Sequence, residues 1–443
     1  MDMIKEWILE NRITEVECLV PDITGNARGK IIPAHKFLRD KGMKLPESLF
    51  FQTITGDWPD DDEMIDLTDS DMNLKPDEKS IRFVPWAKEP TAQVIHDCFV
   101  GDDEYVDIAP RSVLRRVLQL YKDKGLTPIV APELEFYLVK KNIDEDFPLE
   151  PPIGRNGRPE TARQSFSIDA VNEFDPLFEE MYDFCDAQKL DVDTLVHESG
   201  AAQMEINFDH GDALELADQA FLFKRTVRET ALRHDVYATF MAKPMQHEPG
   251  SSMHIHQSML DREGKNIFSN ADGSNSQALL HYIGGLQTFA PASIAFMAPN
   301  VNSYRRLIFG ECAPGNLEWG EDNRTVGIRV PASDAKARRV ENRYAGADVN
   351  PYLAMAVSLA CGYLGLVNEI EPRDKVTTDI SGSPYSLPHT LEEALSILEQ
   401  CVELREILGE RFVSAYVSIK RKEYETFFQV ISSWEREFLL LNV

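Results

Sequence analysis

Six side chains able to ligate a metal fall into short clusters along this chain. Glu133 and Glu135 lie in Ala131-Pro-Glu-Leu-Glu-Phe-Tyr-Leu-Val139, and Glu198 and Glu205 in His197-Glu-Ser-Gly-Ala-Ala-Gln-Met-Glu-Ile-Asn-Phe208. His254 follows Gly250-Ser-Ser-Met, and Glu341 sits in Arg338-Arg-Val-Glu-Asn-Arg343. Five carboxylates and one imidazole make a hard, oxygen-rich donor set that suits magnesium or manganese better than zinc. The arginines beside them suit phosphates. Together they read as a two-metal phosphoryl-transfer site.

The spacing agrees with that chemistry. Val130 to Val139 has the apolar and β-branched content of a strand, whose residues two apart share a face. Glu133 and Glu135 then project together, and their like charges repel unless cations lie between them. The same period pairs His254 with His256 and Glu341 with Arg343. An acidic pair alone describes a solvated strand face equally well, and a lone histidine a core residue. Four clusters of matching chemistry do not.

The elements that position these groups follow from turn and cap signals. Glu15 to Pro21 and Ala27 to Pro33 read as two strands around the turn Asp22-Ile-Thr-Gly-Asn. Ile81 to Val84 and Ala92 to Val100 read as further strands of a small first domain, with an acidic, poorly structured stretch from Asp57 to Asp71. The charged loop Gly101-Asp-Asp-Glu marks its end, giving domains 1–103 and 104–443. A helix opens after Asp107 and stops at Gly125; others cover about Asp175 to Lys189 and Asp212 to His234. Asn350-Pro351 caps an apolar helix, and from Leu391 onward the chain reads mostly as helices. The whole is α+β, with a mainly antiparallel sheet carrying charged residues on one face.

A net charge of -28 over 443 residues argues against a nucleic-acid partner. It favours cations, protonated amines included. Six cysteines occur singly, as free thiols of a reducing compartment do. No signal peptide is evident, and the most apolar stretch, Leu353 to Val367, is too short to cross a bilayer. These features predict a cytoplasmic protein without membrane partners.

The motifs carry a family resemblance. Ser70-Asp-Met-Asn-Leu-Lys-Pro-Asp77, Glu133-Leu-Glu-Phe, Gly250-Ser-Ser-Met-His-Ile-His256, Asn302-Ser-Tyr-Arg-Arg-Leu307, Asn323-Arg-Thr-Val-Gly-Ile-Arg-Val-Pro331, Lys336-Ala-Arg-Arg-Val-Glu-Asn-Arg343 and Asn350-Pro-Tyr stand in order. In them the chain resembles the glutamine synthetase superfamily over nearly its whole length. The resemblance implies a small β-grasp-like N-terminal domain and a catalytic domain whose sheet forms a half-barrel. It also implies ATP-dependent formation of γ-glutamyl phosphate from L-glutamate, followed by attack of an amine. Two or three magnesium or manganese ions would serve the reaction. One would be held by Glu135, Glu198 and Glu205, another by Glu133, His254 and Glu341.

By the same resemblance Gly250, Arg306 and Arg343 bind substrate, with Glu135 and His254 beside it, and Arg324 stabilises the transferring phosphoryl group. Ser258, His256, Arg329, Lys336 and Arg339 match nucleotide contacts. The assembly implied is a six-subunit ring, or two stacked rings, in which Asp57 and Trp58 complete a neighbour's site. The apolar C-terminal tail is a candidate docking element for stacking. Tyr385 sits near the place of a tyrosine that is adenylylated in some bacterial members, with different flanks.

The departures point to a branch. Ammonia-using members carry Asp-Gly-Ser-Ser-Ile-Gly-Gly-Trp where this chain has Thr53-Ile-Thr-Gly-Asp-Trp-Pro-Asp60, so only Asp57 is a loose counterpart. They also place Glu directly before a flap Ala-Pro. Here Cys312 takes that place in Phe309-Gly-Glu-Cys-Ala-Pro314, with Glu311 one residue early. A small cation in a closed pocket needs carboxylates on several sides, so this pattern disfavours ammonium. The chain is thus similar to the γ-glutamyl-amine (polyamine or monoamine) synthetase branch, with ammonia-dependent glutamine synthesis as the alternative. Asp57, Asp60, Asp61, Asp62 and Glu63 would suit a polyamine; Phe50, Phe51 and Trp58 would suit an apolar monoamine.

Overall fold

The computed structural model describes residues 2–40, 42–60, 68–161, 163–309, 313–381, 384 and 386–443. The expectations for Glu311, Cys312, Asp61, Asp62, Glu63 and Tyr385 fall outside them. Among the described residues two sheets organise the chain. The first runs Ala27–Pro33, Glu15–Pro21, Thr91–Val100, Asp71–Pro76, Met43–Pro46. Glu15–Pro21 and Thr91–Val100 are parallel, while Asp71–Pro76 lies antiparallel to Thr91–Val100. Glu104–Tyr105 folds back on Thr91–Val100, so Gly101 to Asp103 form a hairpin turn and the small sheet extends to Tyr105.

The larger sheet runs Trp319–Glu321, Ile328–Val330, Val340–Asn342, Met253–Leu260, Thr127–Lys140, Gln203–Phe208, Val192–His197. Among the described strands only its edge pair, Trp319–Glu321 with Ile328–Val330, is parallel. In the central strand, Pro128, Val130, Pro132 and Leu134 are buried while Ile129, Ala131 and Glu133 are half-exposed. The alternation puts one face on the core and leaves the other for the charged residues.

Helices Ala213–Arg233, Gln277–Met297 and Pro351–Asn368 fill that core. Asn350 caps the last one, its side chain accepting from the Tyr352 and Leu353 N–H groups. This helix is longer than the apolar run suggested. By length and hydropathy it could cross a bilayer, yet 78% of it is buried inside the protein. It approaches its neighbour closely through glycines: a Cβ on Gly285 would lie 2.2 Å from the Cys361 carbonyl oxygen.

Buried polar contacts join the two sheets' layers. Arg111 donates to Asp97, Asp77 and Asp218 at 2.6–2.7 Å, and the Tyr352 hydroxyl donates to Asp218. The Asn350 amide donates to the Asp22 carbonyl oxygen, fastening the first hairpin's turn to the core. The described cysteines are free; burial pushes the Cys18 thiol up to about 12, which makes it inert packing rather than a nucleophile.

Candidate active site

Cross-strand register assembles the donor set. Glu205 lies opposite Glu135, His254 opposite Glu133, and His256 opposite Glu341. Arg329 lies opposite Glu341 on the next strand. These residues therefore form one band across five adjacent strands. Glu133, Glu135, Glu198, Glu205, His254 and Glu341 line a cavity of about 530 Å³ together with Arg306, Arg324, Arg329, Arg343 and Gly250. All six expected ligands thus meet.

A second cavity of about 520 Å³ holds Ser258, His256, Lys336 and Arg339. Glu133 lines both. The sequence grouped Arg329 with the nucleotide contacts; it lies in the first cavity, donating to Glu341 at 2.8 Å and Asp322 at 2.6 Å. Asp57 is not in either cavity. It sits in a turn where the Thr53 N–H donates to its carbonyl oxygen and the Thr55 hydroxyl to its carboxylate. Next to it, Lys422 of the C-terminal region pairs with Asp60.

Charges in the first cavity divide into two groups. Burial works against ionisation of Glu133, but hydrogen bonds from His254 and His256 outweigh it and hold its carboxyl far below the usual range. Glu341 is held at about 2: burial opposes its charge, while His254 and Arg343 favour it more strongly. Glu205 behaves oppositely. Burial, then repulsion from Glu133, Glu135 and Glu198, pushes it up to about 9. Burial and Glu198 push Glu135 up to about 7, although the Ser252 N–H and hydroxyl each donate to it at 2.9 Å. Burial also raises Glu198, partly offset by Arg324.

Carboxylates crowded until some must stay protonated are a donor set that fits divalent cations. Oxygen and nitrogen atoms of Glu133, Glu205 and His254 lie within 4.8 Å of one another, as do those of Glu133, His256 and Glu341. His256 is committed elsewhere. Arg339 Nε–H donates to its Nδ1 at 3.1 Å, leaving Nε2–H to donate to Glu133 at 2.7 Å. It orients Glu133 rather than offering a lone pair. Burial followed by Arg343 lowers His254, which favours the neutral imidazole a cation needs.

The raised pair carries a pH prediction. Without a cation, the folded state favours protonated Glu205 and Glu135, so their contribution to stability is full below about pH 4.5 and is lost as pH rises through about 7 and about 9. Magnesium added at pH 7.5 is expected to release protons. Its stabilising shift in melting temperature should grow from pH 6 to pH 9. Calorimetry in two buffers of different ionisation enthalpy measures the release; proton uptake would contradict this electrostatic picture.

Other groups here were not singled out from sequence. Gln203 donates to Glu135 and to the Gly250 carbonyl oxygen, and accepts from the Tyr137 hydroxyl. Asn207 donates to Glu205. Glu160 accepts from His197, whose other ring nitrogen meets the Glu198 carbonyl oxygen. Phe166 lines the cavity, 71% exposed, with φ at 62°. An aromatic residue in that left-handed region stores backbone strain of about 1–3 kcal/mol.

Gly250 is explained by close packing: a Cβ there would lie 2.6 Å from Arg306 Cγ and 2.7 Å from the Ala242 carbonyl oxygen. Arg306 is itself buried, donating to the carbonyl oxygens of Tyr344 and Arg343. Gly250→Ala should therefore cost about 1–3 kcal/mol and displace Arg306. A melting temperature equal to wild type would contradict this. Arg343 Nε and Arg329 Nε are buried and have no hydrogen-bond partner among the described residues.

The glutamine synthetase catalytic-domain family matches residues 107–439. Gamma-glutamylputrescine synthetase PuuA of Escherichia coli (strain K12) is 37% identical over 96% of this chain and 92% of that one. Glutamate–isopropylamine ligase of a Pseudomonas species is 31% identical over 98% and 96%. Glutamine synthetase of Pyrococcus abyssi is 34% identical over 89% of each chain. A solved structure of GmaS without ligand superposes with a TM-score of 0.86 at 27% identity, covering both chains fully. The chain belongs to the glutamine synthetase family.

Proposed function

We propose that this protein is an ATP-dependent ligase that joins the γ-carboxylate of L-glutamate to a primary amine through γ-glutamyl phosphate. The observation that carries the reading is the pair of adjoining cavities sharing Glu133, one rich in carboxylates and arginines, the other lined by Lys336, Arg339 and Ser258. Similarity to two glutamate–amine ligases supports an organic acceptor. Glutamine synthesis is the alternative, since glutamine synthetases are also among the relatives.

Glu135, Glu198 and Glu205 would hold one magnesium or manganese ion, and Glu133, His254 and Glu341 another. Such ions offset the negative charge of the triphosphate and of the carboxylate that attacks it. The remaining work falls to the chain. Arg306, Arg343 and Gly250 seat the glutamate carboxylates, while Lys336 and Arg339 hold nucleotide phosphates near Ser258. Arg324, exposed at the cavity beside Glu198, faces the transferring phosphoryl group, and Arg329 orients Glu341. Phe166, Val196, Ile308 and Ile380 supply apolar wall for an acceptor substituent.

In this reading residues 1–103 form a β-grasp-like domain and 104–443 a catalytic half-barrel. The cytoplasmic assembly is a hexameric ring or a dodecamer, Asp57 reaches a neighbouring subunit's site, and Glu311 acts in the flap. Glutamate labelled with ¹⁸O in its γ-carboxylate tests the intermediate. One label per turnover should appear in phosphate, and the other should stay in a γ-glutamyl amide identified by mass spectrometry. Phosphate free of label would exclude an acyl phosphate.

A further inference from the structure

A third cavity, of about 660 Å³, shares no lining residue with the catalytic one. It lies behind helix Val301–Phe309, which places Arg305 in this cavity and Arg306 in the catalytic one. Its volume is that of a small-molecule site. Its charge runs against the rest of the protein. Over the whole chain 74 acidic residues outnumber 46 basic ones. Among the described residues, Lys224, Arg228, Arg305 and Lys420 here face two carboxylates, Asp348 and Glu423.

Glu423 is engaged through both oxygens and Asp348 through Oδ2, while the buried Asp348 Oδ1 has no hydrogen-bond partner among the described residues. Glu423 binds Lys420 at 2.7 Å and accepts from the Ile54 N–H. Asp348 accepts from the Asn300 amide and the Ser303 hydroxyl. Lys224, 6% exposed, spends one donor on the Val349 carbonyl oxygen. Arg228 is exposed within the cavity, its guanidinium 5.2 Å from the Phe240 ring centroid, and forms no ion pair among the described residues. Burial and the nearby Arg228 charge lower Lys224 to about 7, a cost that an anion between them would remove. The remaining walls are largely apolar, including Ile23, Phe240, Phe296 and Leu353.

We infer that this cavity is a second ligand site, separate from the catalytic one, for an organic monoanion with an apolar body: Arg228 and Lys224 take the anionic head and the Phe240 side takes the body. The loop that follows Arg343 carries Asp348 to the start of helix Val301–Phe309. The ligand therefore sits against the same helix and loop that present Arg306 and Arg343 to the catalytic cavity.

The probe is hexanoate, with acetate (head without body) and hexanol (body without head) as controls. They are titrated calorimetrically into the intact enzyme, with saturating glutamate filling the catalytic cavity. Hexanoate should bind one equivalent per chain and lose at least about tenfold in affinity in Arg228→Gln, the size expected for a charge-assisted contact. Acetate and hexanol should bind at least about tenfold more weakly than hexanoate. Absence of hexanoate binding to the wild type, including sealing of the mouth by a second copy of the chain, would overturn the inference. Equal binding by a folded Arg228→Gln variant would overturn it too. Neither result depends on which amine the enzyme uses.

Discussion

Glu341→Ala is expected to slow turnover by at least on the order of 10²–10³-fold, the loss typical when a site loses a group that fixes charge around the reacting atoms. Glu341 is 1% exposed and held at about 2, so it is a carboxylate at any working pH. It accepts from Arg329 at 2.8 Å and Arg343 at 2.5 Å, and its oxygen lies 3.5 Å from His254 Nδ1. Removing it takes the carboxylate partner from buried Arg343 and leaves Arg329 with Asp322 alone, and breaking a buried pair from one side costs about 3–5 kcal/mol. Magnesium should then stabilise the variant less than the wild type. Glu341→Gln separates charge from volume: it should melt closer to wild type yet remain nearly inactive. Near-normal turnover in either variant would remove Glu341 from the metal set.

Arg343→Ala is expected to raise the glutamate concentration needed for half-maximal rate by about 10–100-fold, with a smaller change for ATP. That range corresponds to about 1.5–3 kcal/mol for a hydrogen bond to a charged group. Arg343 is buried, one nitrogen is bound to Glu341, and its Nε has no hydrogen-bond partner among the described residues. Arg343 lines the cavity, and its guanidinium is the group offered to a substrate carboxylate. Arg343→Lys keeps the charge but loses the fork geometry and should recover only part of the affinity. An unchanged glutamate dependence in Arg343→Ala would place the amino-acid substrate elsewhere.

The clusters were legible because two-residue periodicity is local. Glu133 and Glu135 share a face whatever strand lies beside them. Their partners were legible only through the family resemblance and not from periodicity: His254 is 121 positions from Glu133, and sheet register sets them opposite. Ser252 and Gln203 lay inside quoted motifs, yet their donation to Glu135 depends on strand pairing and on a loop crossing above it. Arg329 resembled a nucleotide contact by motif, whereas its place opposite Glu341 follows from a three-residue strand that periodicity cannot resolve. The short strand Glu104–Tyr105 was not legible behind the charged loop at Gly101, because hairpin turns and linkers use the same residues. The third cavity left no sequence signal: its cations come from three helices, each alone resembling a solvated face.

The central claim is tested most directly by phosphate release from ATP, with magnesium and glutamate present and the acceptor varied. Ammonium, monoamines, diamines and aromatic amines are compared at equal concentrations. The account predicts turnover with at least one organic amine well above that with ammonium, and a matching γ-glutamyl amide. Turnover with ammonium alone would contradict it and identify the enzyme as a glutamine synthetase.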